Sequence, residues 1–275
     1  MESAPFPVTD DHIHLDPRNG RGLSAARDFF RSGGTHIFLV SKPSSSFGIF
    51  PLRGEDFRPV FEETLAVAKM VSETGVVVFP VLGVHPAEIT RLLERVPLDR
   101  AAEIMKEGLD LAALFVVEGR AVAIKSGRPH YEVPADVWAA SCDVLSFAFE
   151  RAGEAGCAVQ VHAESGDCTD MLAMASSAGL DPGLVVKHYA IPETPLVPSL
   201  IATHPGIPSL AREGRGFMME SDYMDENSRP GAVIGPRSVP RVTRRLLESG
   251  EIDEGTVHSI HATIPSRVYG VEIDL

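Results

Sequence analysis

The chain of 275 residues carries 38 acidic and 25 basic side chains, a formal charge of −13, so its surface as a whole repels polyanions and nucleic acid is disfavoured as a partner. With 44% hydrophobic and 23% charged residues, it has the balance of a globular protein, which excludes a disordered or fibrous chain. No apolar run approaches the ~20 residues of a membrane helix, and the acidic opening MESAPFPVTDD does not resemble a signal peptide, so a soluble protein without a membrane partner is expected. Cys142, Cys157 and Cys168 are unevenly spaced and form no C-x-x-C pair, which fits a reducing cytoplasm rather than a disulfide framework.

Short Val- and Ile-rich runs alternate with stretches of helical period. Taken in order, strands are predicted at 8–15, 35–41, 76–85, 120–126, 158–163 and 184–190, with two weaker ones at 207–210 and 216–222. Helices are predicted between and after them at 22–32, 58–74, 99–117, 135–155, 167–179 and 238–249. Nearly continuous apolar strands imply a parallel sheet covered on both faces. Strands interleaved with helices over this length predict an α/β (β/α)8 TIM barrel forming one domain, 1–275. Distortion is expected around strand 7, where Pro192, Pro195, Pro198, Pro205 and Pro208 interrupt 191–215.

In such a barrel the active site lies at the C-terminal ends of the strands. Strand 1 ends in Asp11-His12-Ile13-His14, and alternation turns His12 and His14 to one side and Ile13 to the other. Strand 5 ends in His162 and strand 6 in His188, while Asp222 closes the apolar run of strand 8. Each has a bland explanation alone: a satisfied histidine, or a helix N-cap in the case of Asp222. As a set, in this order, they are a metal-ligand constellation.

The set resembles the amidohydrolase superfamily and, within it, the TatD-like branch. The resemblance rests on DDHIHLD, GVHP at 83–86, AIKSGRPHY at 123–131, VHAES at 161–165, KHYA at 187–190, ESDYMD at 220–225 and the closing ATIPSRVYGV. It implies a metal-dependent hydrolase of ester bonds, most often phosphoesters, with a water activated by divalent ions and Asp222 as the catalytic base. It also implies His12, His14 and Asp222 on one ion and His162 and His188 on a second. Zinc suits these ligands best, with manganese, iron or nickel as alternatives.

Strand 4 departs from the pattern. TatD-like enzymes carry a Glu there, whereas anchoring on GRPHY aligns Lys125 with it, and an ungapped alignment would place Ser126 there. A lysine resembles the phosphotriesterase branch, in which a carboxylated lysine bridges two metals. An ammonium about 5 Å from a divalent ion is repelled by more than about 6 kcal/mol at an effective dielectric of 20. Lys125 is therefore neutral, turned away or converted to a carbamate; a salt bridge beside a single metal is the bland alternative. Carboxylation would make Lys125 a catalytic and metal-bridging residue and favour lactones, amides or phosphotriesters.

Around these residues, His85 has two readings: a substrate contact, or a hydrogen-bonded turn histidine before Pro86. Arg128, His130, Tyr131 and Lys42 could grip an anionic group, and Glu164 shares a strand face with His162 as a substrate contact or support. Lys187 is expected to face away from His188. Tyr223, Asp225, Glu226 and Arg229 follow strand 8, and the remaining histidines, His36, His204, His258 and His261, are expected in packing or surface roles. The other function classes are a non-catalytic metal-binding barrel and, last, a histidinol-phosphatase-like phosphoesterase. Neither substrate nor oligomeric state follows from the sequence.

Overall fold

The computed structural model describes residues 6–228 and 233–275. The first six strands form close to their expected places: β1 (Thr9–His14), β2 (His36–Val40), β3 (Val77–Gly83), β4 (Ala123–Gly127), β5 (Ala158–His162) and β6 (Val185–Lys187). Between them run α1 (Leu23–Arg31), α2 (Arg58–Ser72), α3 (Glu88–Leu92), α4 (Leu98–Val117), α5 (Ala135–Ala155) and α6 (Asp170–Ser177).

The segment 207–210, expected as a strand, is helical: it begins α7 (Ile207–Arg212), and the seventh strand is β7 (Val197–Ile201). Pro208 sits in the first turn of α7, where a missing N–H leaves no hydrogen bond unmade. Pro198 lies within β7 opposite Lys187 of β6, its fixed φ compatible with extended chain. The prolines thus start one element and sit inside another, rather than breaking both.

Strand 8 is split. β8 (Met218–Glu220) pairs with β7, and β9 (Tyr223–Met224) pairs with β1. Between them the Ser221 N–H donates to Asp10 Oδ1 and the Asp222 N–H to the His12 carbonyl, both at 2.9 Å. Asp222 adopts a left-handed φ of 45°, uncommon for a residue with a Cβ. The ladders are all parallel, in the order β8-β7-β6-β5-β4-β3-β2-β1-β9, curling the sheet into a TIM-type barrel.

Period-two alternation grades the barrel interior from apolar to polar along each strand. At the lower end Phe38, Val81, Ala123, Ala158, Val186 and Met218 form one buried cluster. Two residues further along come Lys125, Gln160, His188 and Glu220, all buried, and above them His162 and Asp222. The helices pack outside on a separate apolar layer that includes Phe61, Phe115, Ile124, Phe149 and Val161.

Two glycines let the strands meet at the mouth. A Cβ on Gly83 would lie 1.9 Å from the Lys125 carbonyl oxygen, and one on Gly127 would lie 1.9 Å from that of His162. The chain then runs through α8 (Ser238–Glu248), α9 (Glu254–His258) and a π-helical turn (Ser259–Thr263) into α10 (Ile264–Tyr269). Ile264, Val268, Tyr269 and Ile273 press against the lower cluster and plug the barrel from below.

Candidate metal centre

The strands bring four of the predicted histidines into one buried group. His12 and His14 Nε2 lie 3.2 Å apart, and the His12 and His188 rings stack with centroids at 3.9 Å. His162 Nδ1 approaches His188 Nε2 at 2.9 Å. Asp222 Oδ1 is 3.9 Å from His12 Nε2. Donor atoms of His12, His188 and Asp222 all lie within 4.8 Å of one another, close enough to share an ion. Candidate ligands from strands 1, 6 and 8 therefore lie together, across the expected His12–His14–Asp222 and His162–His188 sets.

The far sides of the rings fix which nitrogen carries the proton. Gln160 Nε2 donates to the Asp11 carbonyl and to the Tyr269 hydroxyl, so its Oε1 faces His12 Nδ1 and takes that proton at 2.8 Å. His14 Nδ1 donates to the Val40 carbonyl at 2.8 Å. His188 Nδ1 donates to Glu220 Oε1 at 3.0 Å; the Tyr189 N–H and the Ser199 hydroxyl occupy the rest of that carboxylate. With Nδ1 committed as donor, each Nε2 presents a bare lone pair toward the centre, the arrangement of imidazoles that bind metal.

Burial and the nearby Lys125 ammonium press the same way. His12 and His188 titrate well below the ordinary histidine range, and His14 is pushed down to about 3. All three are neutral imidazoles at neutral pH. Burial lifts the Asp222 carboxyl to about 6, with Lys125 opposing the rise. Lys125 is buried, its Nζ 3.4 Å from His12 Nε2, and burial lowers its amine to about 7 against the pull of Asp222 and Glu220. Ser126, the ungapped candidate, is buried on the same strand.

The surrounding candidates divide. His130 is exposed, its Nδ1 2.7 Å from His162 Nε2, and the His85 ring lies 4.7 Å from that of His162. His85 also accepts the Ala87 N–H through Nδ1, the contact expected of a turn histidine before Pro86. The Tyr131 hydroxyl pairs with Thr90 at 2.8 Å. Arg128 lies over the Trp138 ring and forks onto Glu164 and Asp170, so Arg128 and Glu164 spend their charges on each other. Lys42 donates to Asp16 at 2.7 Å, and Lys187 donates to the Ala163 and His188 carbonyls. Asp225 accepts from the Asp16, Arg21 and Gly22 N–H groups and from Tyr223, which fixes the loop after β1 to that after β9. Arg229 falls outside the described residues.

Sequence reasoning missed Gln160 and Glu220. Both sit two residues before a predicted ligand, His162 and Asp222, on the inward face of an otherwise apolar strand. An uncompensated polar residue at that place in VQVH and MMES was the available signal.

A family model described as TatD related DNase matches residues 9–270. An uncharacterized protein of Methanocaldococcus jannaschii is 36% identical over 283 residues, covering 98% of each chain. Among solved structures, a TatD homologue from Escherichia coli superposes with a TM-score of 0.67 at 17% identity, covering 96% of this chain and 98% of the other. A phosphotriesterase-like lactonase mutant from Deinococcus radiodurans gives 0.66 at 18% identity, with 98% of each chain covered. The phosphotriesterase homology protein of E. coli, with phosphate in its active site, gives 0.60 at 13% identity, covering 98% of this chain and 100% of that one. With the match running from β1 through α10, the chain belongs to the TatD-related DNase family.

Proposed function

We propose that the chain is a dinuclear metal-dependent hydrolase of ester bonds, with His12, His14, Lys125, His162, His188 and Asp222 holding the ions. One observation carries this: the Nε2 atoms of His12 and His14 face each other at 3.2 Å although each Nδ1 is committed as a donor. Two facing lone pairs at that distance repel unless a cation lies against both; the Lys125 amine stands 3.4 Å from His12 Nε2 alone, so the donor set fits a metal. Divalent ions, zinc by preference, would supply an activated water and polarise the scissile group.

The chain's own residues do the rest. Asp222 accepts the proton of the attacking water and returns it to the leaving oxygen, a role that suits a carboxyl titrating near 6. Gln160, Glu220 and the Val40 carbonyl hold the imidazoles in the binding tautomer. Lys125, a buried amine near its neutral form, reacts with carbon dioxide: an N–C bond forms as one C=O π bond opens, a proton leaves the nitrogen, and the resulting carbamate would offer two oxygens sharing one negative charge among the ligands.

The bond cleaved is an ester, and the surroundings favour a substrate of low charge. The cations flanking the mouth among the described residues, Lys42, Arg128 and Lys187, are committed to Asp16, to Glu164 with Asp170, and to backbone carbonyls. A lactone or phosphotriester suits that site better than a phosphomonoester or a DNA strand, which the charge of −13 also repels. The phosphoester reading is the alternative, favoured by the fold neighbour that holds phosphate.

The test is a metal-loaded panel of lactones, phosphotriesters, phosphomonoesters and single-stranded DNA. Turnover of a lactone or phosphotriester at least about tenfold above the anionic esters supports the proposal. Turnover confined to DNA or phosphomonoesters overturns the low-charge substrate, and tight metal binding without turnover favours a non-catalytic barrel. Loss of activity in Lys125→Ala with partial rescue by short carboxylates tests the carbamate. The free cysteines fit the cytoplasmic location first expected.

A further inference from the structure

Gln160 is a polar side chain in the middle of β5 with no solvent, wholly buried, and its three contacts leave one possible arrangement. The Asp11 carbonyl can only accept, so the Gln160 amide nitrogen must face it, at 2.8 Å. The same nitrogen donates to the Tyr269 hydroxyl at 2.7 Å, which spends its second proton. The amide oxygen is then forced toward His12 Nδ1, and the orientation of the amide dictates the tautomer of His12.

Tyr269 comes from α10, whose residues plug the lower end of the barrel. Its ring packs on Phe38 with centroids at 4.1 Å, so the hydroxyl is held in place from the far side of the core. A continuous chain of buried contacts therefore runs from the last helix, through Gln160, to an imidazole at the catalytic end.

We propose that Gln160 is a positioning residue that, anchored by Tyr269, locks His12 in the Nδ1–H tautomer and keeps its Nε2 lone pair available to a metal ion. The proposal rests on the metal-centre reading for its consequence, though not for the tautomer itself. A Leu at 160 fills similar volume and removes the acceptor, leaving His12 free to place its proton on either nitrogen. A Phe at 269 removes one of the two acceptors that orient the amide.

The experiment uses the full chain stripped of metal. Nitrogen-15 NMR of the histidine rings reads the tautomer, and equilibrium titration with Co(II) reads affinity. Wild type is expected to show the Nδ1–H pattern for His12. Gln160→Leu should show an Nε2–H population and a 10- to 100-fold rise in the Co(II) dissociation constant, the usual cost of losing a hydrogen bond behind a ligand. Tyr269→Phe should raise it about fivefold, the worth of one hydrogen bond.

An unchanged Nδ1–H pattern with Co(II) affinity within about twofold of wild type in Gln160→Leu overturns the proposal. Should that variant not fold, the same result in Tyr269→Phe overturns it. If the wild-type chain binds no Co(II), the metal-centre reading falls, and the tautomer comparison still decides the role of Gln160.

Discussion

Glu220 accepts the Nδ1 proton of His188 at 3.0 Å through one oxygen, while its other oxygen takes the Ser199 hydroxyl at 2.5 Å. The carboxylate is wholly buried and has no solvent to replace either partner. By accepting that proton it aims His188 and leaves the nitrogen that points inward bare. Glu220→Ala is therefore expected to weaken metal binding 10- to 100-fold, measured by dialysis and elemental analysis. Glu220→Gln, whose amide oxygen still faces His188, should lose far less. Equal losses in both variants would show that the charge, not the hydrogen bond, matters.

In the proposed mechanism Asp222 carries the proton transfer. With its carboxyl at about 6 in the metal-free site, the basic form prevails above that pH and is lost below it. Bound cations favour the anion, so the acidic limb of the rate profile should fall at or below about 6. Asp222→Asn should lower kcat by roughly 10²- to 10⁴-fold and abolish the limb. A full-rate Asn variant would remove Asp222 from catalysis.

Away from the site, His261 contributes to the pH dependence of stability, as the other buried histidines do. It is fully buried in the π-helical turn, bonded to Thr9 and Thr243, and burial depresses it to about 4 from an ordinary 6.5. The unfolded chain therefore binds a proton near 6.5 that the folded chain refuses until about 4. Its contribution is complete above 6.5 and declines as the pH falls toward 4, by about 3 kcal/mol. Urea unfolding of metal-free wild type and His261→Asn, each at neutral pH and near pH 4, isolates its share. His261→Asn should lose less stability across that window than wild type; an identical slope would reject the assignment.

Gly83 has no room for a side chain, because the Lys125 carbonyl occupies the place of its Cβ. Gly83→Ala must push β4 away from β3. A loss of more than about 2 kcal/mol is expected, with impaired metal binding because Lys125 moves with its strand. Unfolding curves and Co(II) titration measure the two effects. Wild-type values in both would mean the strands yield without consequence.

Nearly continuous Val- and Ile-rich runs make β1 to β6 legible, and the histidines are legible because each interrupts or ends an apolar run. What failed has a local cause. Proline was counted as a breaker at 207–210, although Pro208 serves the first turn of a helix and Pro198 an extended strand. Arg128 reads as a grip for an anion and Glu164 as a substrate contact or support; that they fork onto each other is hidden because they follow different strands. Gln160 and Glu220 are hard to see in the sequence because they lie one layer beneath the strand ends, inside otherwise apolar runs. The break at Asp222 depends on its left-handed backbone, which nothing in ESDY announces.

That break ties biosynthesis to competence. The backbone of Asp222 is held by His12, so the first and last strands of the barrel meet only when nearly the whole polypeptide has left the ribosome. Pairing across such a sequence separation is slow to form. A nascent chain released short of this seam would hold the histidines of strands 1, 5 and 6 but neither Asp222 nor a sealed wall, and is expected to lack activity.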